Sequence, residues 1–191
     1  MSEHPLNSIC VYCGSRFGER DIYSQVAKET GEAIAGAGMR LVFGGGAQGL
    51  MGVAAAAARD AGGKVLGIIP SFLQAQEGLL DNIESREVET MHERKIGLFD
   101  ESDAFAVLPG GIGTLEEMVE VMSWSSLAIH RKPIIVINTD GYWNPFIELI
   151  DHVCKEGFAY PGLPRSLTVV DHPGQLIEAA RRAQKEPIEK M

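Results

Sequence analysis

The feature that most constrains this chain is an apolar segment that runs directly into a glycine-rich turn and then into a helical pattern. The apolar segment covers residues 104–108, and the turn reads Pro109-Gly110-Gly111-Ile112-Gly113-Thr114. Glycines let a ligand approach the backbone closely, because no Cβ stands in the way. The unpaired N–H groups at the start of the helix, together with its dipole, favour an anion. The turn therefore predicts a phosphate-binding loop at the end of a buried strand.

Strand-like and helix-like segments alternate along the chain. Apolar runs predict strands at residues 8–13, 41–43, 65–69, 104–108, 133–138 and 167–170. Helical spacing predicts helices at residues 21–37, from 49 to about 61, 91–102, from 114 to about 130, 144–155 and 173–185, whereas residues 71–90 indicate a loop with a short helix. This order predicts an α/β fold, a doubly wound, mostly parallel, Rossmann-like sheet with helices on both faces. Ligands of such sheets bind at the carboxyl ends of the strands.

Length and charge narrow the possible functions. A chain of 191 residues fits one domain, 1–191, with a core at about 8–180 and a short polar tail after residue 184. The net charge of −9 argues against a nucleic-acid partner. No apolar run approaches the roughly 18 residues of a membrane span, and residues 1–5 lack the pattern of a signal peptide. These features favour a cytoplasmic protein.

Glu117 follows the glycine turn and allows two interpretations. It lies one helical turn beyond Thr114, so its carboxylate could serve chemistry next to a bound phosphate. Thr114-x-x-Glu117 also fits a capping box, in which the carboxylate folds back onto the start of the helix. The residues alone do not decide between these two roles. For Arg94 and Lys95, the residues alone favour solvated charges on a helix.

A second glycine run, residues 44–49, matches the spacing of a dinucleotide-binding turn. That motif also requires an acid at the end of the next strand, but this strand ends in Ile69-Pro70-Ser71. We therefore predict that NAD(H) does not bind. The run serves either close helix packing or a second glycine-rich wall of one nucleotide pocket, and we favour the pocket wall.

The three cysteines do not form a disulfide framework, because their number is odd. Cys10 and Cys13 lie in a predicted strand, where residues three apart point to opposite faces. No second pair completes a zinc site. We interpret both as buried structural thiols, and we assign no metal site.

The chain contains the segments Met91-His92-Glu93-Arg94-Lys95, Ser102-Asp103-Ala104-Phe105, Leu108 through Glu117, Ile129-His130-x-Lys132-Pro133, Cys13-Gly14-Ser15 and Phe43-Gly44-Gly45-Gly46. Together they closely resemble the Lonely Guy (LOG) family of cytokinin riboside 5′-monophosphate phosphoribohydrolases, which are often mislabelled as lysine decarboxylases. The family signature is Pro-Gly-Gly-x-Gly-Thr-x-x-Glu, with an Arg-Lys pair about two dozen residues upstream of that Glu, and both parts are complete here. The resemblance covers about residues 8–180.

The resemblance implies hydrolysis of the N-glycosidic bond of N6-substituted adenosine 5′-monophosphates, or of AMP, to free base and ribose 5-phosphate. It implies Arg94 and Glu117 as catalytic residues, no cofactor, and a homodimer or larger homo-oligomer. The further substrate-binding positions that it implies are Gly14, Ser15, Gly44, Gly45, Gly46, Met91, Lys95, Pro109, Gly110, Gly111, Ile112, Gly113 and Thr114. The alternative from another class is a non-catalytic nucleotide-binding carrier or sensor on the same fold.

Overall fold

The computed structural model describes residues 5–185, except for the side chains of residues 75–77. Within this range, seven parallel strands form one sheet in the order β4-β3-β2-β1-β5-β6-β7. The strands are β1 (Ser8–Tyr12), β2 (Arg40–Phe43), β3 (Val65–Pro70), β4 (Glu84–Val88), β5 (Ala104–Val107), β6 (Ile134–Ile137) and β7 (Leu167–Val170). The predicted α/β fold with a parallel sheet is confirmed.

Helices connect the strands and cover both faces of the sheet. They are α1 (Asp21–Gly36), α2 (Gly49–Asp60), α3 (Ser71–Glu77), α4 (Met91–Asp100), α5 (Ile112–Ser126), α6 (Asn144–Lys155) and α7 (Leu176–Lys185). Short 3-10 turns occur at Thr139–Gly141, Leu163–Ser166 and Pro173–Gln175. None of the described helices combines the length and the apolarity needed to cross a bilayer.

The side chains of β1 show how the two layers are built. Ile9 and Val11 point to one face, where residues of α1, α2 and α7 complete a buried cluster. Cys10 and Tyr12 point to the other face, where residues of α4, α5 and α6 form the second cluster. This alternation is the two-residue period of an extended strand, and burial on both faces explains why the central strands are almost continuously apolar.

The sequence prediction misses one strand, β4. We expected a loop with a short helix at residues 71–90; the short helix is present as α3, but Glu84–Val88 pairs with β3 at the edge of the sheet. Its first four side chains are exposed. An edge strand facing solvent needs no apolar run, so it left no pattern to detect.

Several helix boundaries also differ from the prediction. Helix α5 begins at Ile112, two residues before Thr114, and ends at Ser126 rather than near residue 130. Helix α4 ends at Asp100 instead of residue 102. The predicted tail falls mostly on residues 186–191, which lie outside the described residues, as do residues 1–4 of the N-terminal segment.

The strand order reverses between β1 and β5. From β1 the chain adds β2, β3 and β4 on one side, and it then returns to place β5 on the other side of β1. The loops that follow β1 and β5 are therefore neighbours, and the N–H of Gly14 donates to the carbonyl of Pro109 at 3.1 Å. Such a reversal is where open parallel sheets bind their ligands.

Candidate active site

A cavity of about 550 Å³ opens at this reversal point, a size typical of small-molecule sites. Its walls come from the loops after β1, β5 and β6, the first turns of α1 and α2, the first two turns of α5, and one side chain of α4. The lining residues are Cys13, Gly14, Ser15, Arg16, Phe17, Gly18, Tyr23, Leu50, Met51, Arg94, Pro109, Gly110, Gly111, Ile112, Gly113, Thr114, Glu117 and Tyr142. No lysine belongs to this lining among the described residues.

The N-terminus of α5 faces the cavity with free donors. The first helical hydrogen bond that leaves the turn runs from the N–H of Leu115 to the carbonyl of Gly111 at 3.0 Å. The N–H groups of Ile112, Gly113 and Thr114 find no acceptor among the described residues. A Cβ on Gly110 would lie 2.1 Å from the hydroxyl oxygen of Thr114, so only glycine permits this close turn. The arrangement is suited to an oxyanion.

Glu117 does not cap the helix. Because α5 begins at Ile112, its N-cap is Gly111, and Thr114 and Glu117 are the third and sixth helical residues. No side chain makes a cap hydrogen bond there. The capping-box interpretation is therefore wrong, and the carboxylate of Glu117 lines the cavity instead.

The environment of Glu117 favours its neutral form. Burial raises the pKa of Glu117 from 4.5 to about 7. The charge of Arg94 opposes this rise, whereas the carboxylates of Glu116 and Glu120 add to it. A carboxyl group with a pKa near neutrality can exchange protons at physiological pH.

Arg94 is buried rather than solvated. Its exposed fraction is 6%, and its Nη2 donates to the carbonyl of Gly44 at 3.1 Å. Its Nη1 lies 3.9 Å from the sulfur of Met91, and its buried Nε has no partner in the described part of the chain. The interpretation of Arg94 as a solvated helix charge is therefore wrong. The buried side chain places a permanent cation at the wall of the cavity.

Lys95, the neighbour of Arg94, is directed away from the cavity. Its Nζ contacts Glu116 at 2.7 Å and Glu120 at 2.9 Å, which links α4 to α5. These two hydrogen bonds raise the pKa of Lys95. The adjacent residues of the Arg-Lys pair therefore have different surroundings, one in the cavity wall and one in a helix-to-helix ion pair.

The run at residues 44–49 packs against protein instead of facing the cavity. Gly45 has a φ of +83° and lies against Ile69, and a Cβ on Gly44 would lie 1.9 Å from Nη2 of Arg94. The N–H groups of Leu50 and Met51 both donate to the carbonyl of Gly14, at 3.0 and 3.3 Å. Gly44, Gly45 and Gly46 thus lie outside the cavity lining, whereas the start of α2 lies within it.

Aromatic residues at the cavity rim were not found from the sequence. Phe17 follows the predicted Gly14-Ser15 turn, and Tyr23 lies in the first turn of α1. The hydroxyl of Tyr142 donates to the carbonyl of Gly110 at 2.7 Å, and its ring meets that of Tyr23 edge to face at 5.6 Å. Only its position could have indicated Tyr142 from the sequence, because this residue follows β6 at the carboxyl edge of the sheet, where ligands bind.

Cys10 and Cys13 are buried and free, as predicted, whereas the free Cys154 is half-buried. Cys10 and Cys13 belong to clusters on opposite faces of the sheet, and neither forms a disulfide. Burial raises the pKa of both thiols. Among the described side chains, those of residues 5–74 and 78–185, no group of three or more His, Cys, Asp or Glu is arranged to hold a metal ion.

Comparison with known proteins identifies the family. The family model described as "possible lysine decarboxylase" matches residues 51–180. A probable cytokinin riboside 5′-monophosphate phosphoribohydrolase of Oryza sativa subsp. japonica is 42% identical over 171 residues, which are 89% of this chain and 70% of the relative. A cytokinin riboside 5′-monophosphate phosphoribohydrolase of Arabidopsis thaliana is 43% identical over 162 residues, 84% of this chain and 75% of the relative. The chain belongs to the LOG family.

Solved structures with the same fold reach beyond the LOG family. The molybdenum cofactor binding protein of Rippkaea orientalis has a TM-score of 0.73 at 22% identity, covering 94% of this chain and 98% of that one. The molybdenum cofactor carrier protein of Chlamydomonas reinhardtii has a TM-score of 0.71 at 18% identity, covering 95% and 100%. At these identities the likeness shows the fold alone.

Proposed function

We propose that this LOG protein hydrolyses the N-glycosidic bond of N6-substituted adenosine 5′-monophosphates, with AMP as the simplest substrate. The products are the free base and ribose 5-phosphate. The observation that carries the proposal is one cavity that combines the open N-terminus of α5, the carboxyl group of Glu117 and the guanidinium of Arg94. The names of relatives at 40–46% identity agree with it.

In this scheme the phosphate binds at the start of α5. The N–H groups of residues 111–114 and the hydroxyl of Thr114 donate to its oxygens. The adjacent Gly14-Ser15 loop closes the same end of the cavity. This contact fixes the ribose relative to α5, and the scheme therefore predicts a preference for a nucleotide over a nucleoside.

Glu117 acts on the ribose. Cleavage of a glycosidic bond develops positive charge on the sugar ring, and a carboxylate beside the ring stabilises that charge. The same carboxylate orients the attacking water and accepts its proton. A pKa of about 7 suits that task, because the base is then partly ionised at neutral pH and still accepts a proton.

Arg94 acts on the leaving base. The base leaves with the electron pair of the broken bond and takes up a proton from solvent, so a fixed cation nearby favours its departure. An arginine with a pKa above about 12 is a poor proton donor, and we therefore assign Arg94 to charge stabilisation and positioning. Met91 and Gly44 hold this side chain, through its Nη1 and Nη2 respectively.

The family model carries the name of a different reaction, lysine decarboxylation. Pyridoxal-dependent decarboxylases bind their cofactor through a lysine Schiff base. Lys95 is the lysine closest in sequence to Arg94, and it is engaged by two carboxylates outside the cavity lining. The residues of the cavity fit glycosidic hydrolysis better.

We further propose that the protein is a cytoplasmic homodimer or larger homo-oligomer with α5 at the contact. Ile112 and Val119 are exposed by 83% and 46%, and Leu127, just beyond the helix, by 67%. Their spacing of seven and eight residues places them along one side of α5. Sedimentation should show a multiple of 20.7 kDa for the native protein and a smaller assembly for Val119→Asp. An unchanged mass in this variant would contradict the proposed contact.

A product assay tests the proposed activity. The protein is incubated with AMP or with N6-isopentenyl-AMP, and free base and ribose 5-phosphate are measured by chromatography. The two products should appear in equal amounts and in proportion to enzyme. Tight binding of an intact nucleotide, with no base released from either compound, would favour the carrier alternative.

A further inference from the structure

The glycine turn before α5 is held by a side chain from another loop. The hydroxyl of Tyr142 donates to the carbonyl of Gly110 at 2.7 Å. A trans peptide unit is planar, so the carbonyl of Gly110 and the N–H of Gly111 point in opposite directions in one plane. Fixing the carbonyl therefore fixes the direction of the Gly111 N–H, which has no acceptor among the described residues and precedes the free donors of residues 112–114.

The preceding peptide unit is held in the same way, but by the backbone. The N–H of Gly14 donates to the carbonyl of Pro109 at 3.1 Å, which fixes the direction of the Gly110 N–H. Two successive peptide planes are thus anchored through their carbonyls. The second anchor, Tyr142, can be removed by a side-chain substitution without changing the turn itself.

Tyr142 is itself held in position before any ligand arrives. The side-chain oxygen of Asn138 accepts the N–H of Trp143 at 2.7 Å, and its amide donates to Asn144 at 2.8 Å. Trp143 is only 3% exposed and packs edge to face on Phe146. Trp143, the residue next to Tyr142, thereby anchors the loop after β6. The hydroxyl reaches Gly110 from a fixed support, and its ring also rests against Tyr23.

We propose that Tyr142 is a positioning residue for phosphate, which holds the Gly110–Gly111 peptide plane so that its N–H points at the ligand. This role rests on the proposed nucleotide site, but it concerns binding of the phosphate and not cleavage of the glycosidic bond. Without the hydroxyl the peptide plane can rotate, and a phosphate must first orient it. One lost hydrogen bond of ordinary strength corresponds to roughly a 3- to 10-fold loss in affinity.

The test compares Tyr142→Phe with the native protein and with Tyr160→Phe. The phenylalanine keeps the ring contact to Tyr23 and removes only the hydroxyl. Tyr160 is a matched control, since its buried hydroxyl has no partner in the described part of the chain and lies outside the cavity lining. Calorimetry measures the Kd of AMP and of adenosine for each protein, and a melting curve accompanies each titration.

Tyr142→Phe should bind AMP roughly 3- to 10-fold more weakly and adenosine within 2-fold of the native protein, while Tyr160→Phe changes neither. The ratio of the two affinities is measured on one preparation, so partial unfolding affects both ligands equally. In nuclear magnetic resonance spectra, the amide resonance of Gly111 should shift in Tyr142→Phe and stay in Tyr160→Phe.

Equal losses for AMP and adenosine, or no loss for AMP, would overturn the positioning role. So would an unchanged Gly111 resonance, which needs no ligand to be measured. The proposed hydrolysis fails on a different result, namely bound nucleotide that is never cleaved. A protein that binds AMP through Tyr142 without releasing adenine would keep the positioning role and lose the hydrolase.

Discussion

Two glycine turns in this molecule share a sequence pattern and differ in what their helices face. The turn at residues 44–49 joins β2 to α2, and the turn at residues 109–111 joins β5 to α5. Both follow buried strands, and both stand at the carboxyl edge of the same sheet. At α2, the carbonyl of Gly14 accepts the first N–H groups of the helix. At α5, the corresponding N–H groups have no acceptor among the described residues.

The difference lies in the neighbouring loop. The loop after β1 lies directly on the start of α2, where a Cβ on Gly49 would come within 2.2 Å of Ser15. At α5, a Cβ on Gly111 or Gly113 would meet nothing within 4 Å. Glycine therefore serves close packing in the first turn, whereas at α5 only Gly110 is closely packed and Gly111 and Gly113 leave the backbone open to a ligand. A glycine pattern shows that the backbone is approached closely, but it does not show by what.

The largest expected effect comes from removing the charge beside the open turn. Glu117→Gln keeps the shape of the side chain, and kcat should fall by roughly 10² to 10⁴ if the carboxylate stabilises the ribose cation or activates water. AMP should still bind, because the donors at residues 111–114 are unchanged. Arg94→Ala should lose activity similarly. Steady-state kinetics test both variants.

A melting curve must accompany these kinetics, since an unfolded variant carries no information about catalysis. Near-normal turnover in a folded Glu117→Gln protein would remove Glu117 from the mechanism. The open turn at α5 would then bind the phosphate without a catalytic carboxylate beside it.

A pair of alanine substitutions tests directly whether the turn at residues 44–49 serves close packing. In Gly52→Ala the new Cβ would lie 1.9 Å from the carbonyl oxygen of Ala47, so the turn must shift. We expect a loss of about 3 kcal/mol, or roughly 6–12 °C in Tm. Gly113→Ala meets open space and should leave Tm unchanged or slightly higher. Equal melting temperatures for the two variants would contradict the assignment of the first turn to packing.

The pH dependence follows from burial of Glu117. Its pKa is raised to about 7, so the active carboxylate form grows as pH rises, and kcat/KM should increase through pH 7 and then level off. Since the folded pKa exceeds the unfolded one, ionisation of Glu117 destabilises the fold as pH rises from 4.5 past 7. Glu117→Gln should therefore gain stability relative to the native protein at pH 8. A kcat/KM profile that falls between pH 6 and 8 would contradict this role.

The smallest expected effect is that NAD(H) does not bind at the turn of residues 44–49. The N–H groups at the start of α2 are occupied, and β3 ends at Pro70 rather than at an acid. Calorimetry with NAD(H) at micromolar concentrations should show no heat of binding. A tight complex would mean that the loop after β1 moves away and opens the first turn.

The fold was accessible from the sequence because its central strands are buried on both faces. Continuous apolar runs such as Ile134–Ile137 leave few alternatives to a strand in a parallel sheet. The edge strand β4 carries Glu84 and Arg86 and left no such pattern. Helix α5 was placed two residues late, because Ile112 and Gly113 resemble a turn and not a helix start.

The site was accessible only in part. The prediction that Arg94 and Glu117 share one catalytic site depended on the family resemblance. The residues alone favoured a solvated arginine and did not decide between capping and catalysis for the glutamate. Burial of Arg94 requires the space that Gly44 leaves, and that contact joins positions 50 residues apart. The contact of Tyr142 with Gly110 spans 32 residues. Such long-range contacts have no local signal in one sequence.

The most direct test of the account compares the nucleotide with its nucleoside. Base release is measured for AMP and adenosine, and for the N6-isopentenyl pair, at matched enzyme concentrations. Two or more charge-assisted hydrogen bonds to the phosphate predict a kcat/KM at least roughly 100-fold higher for each monophosphate. Comparable cleavage of nucleoside and monophosphate would contradict the account, because the open turn at α5 would then contribute nothing to the reaction.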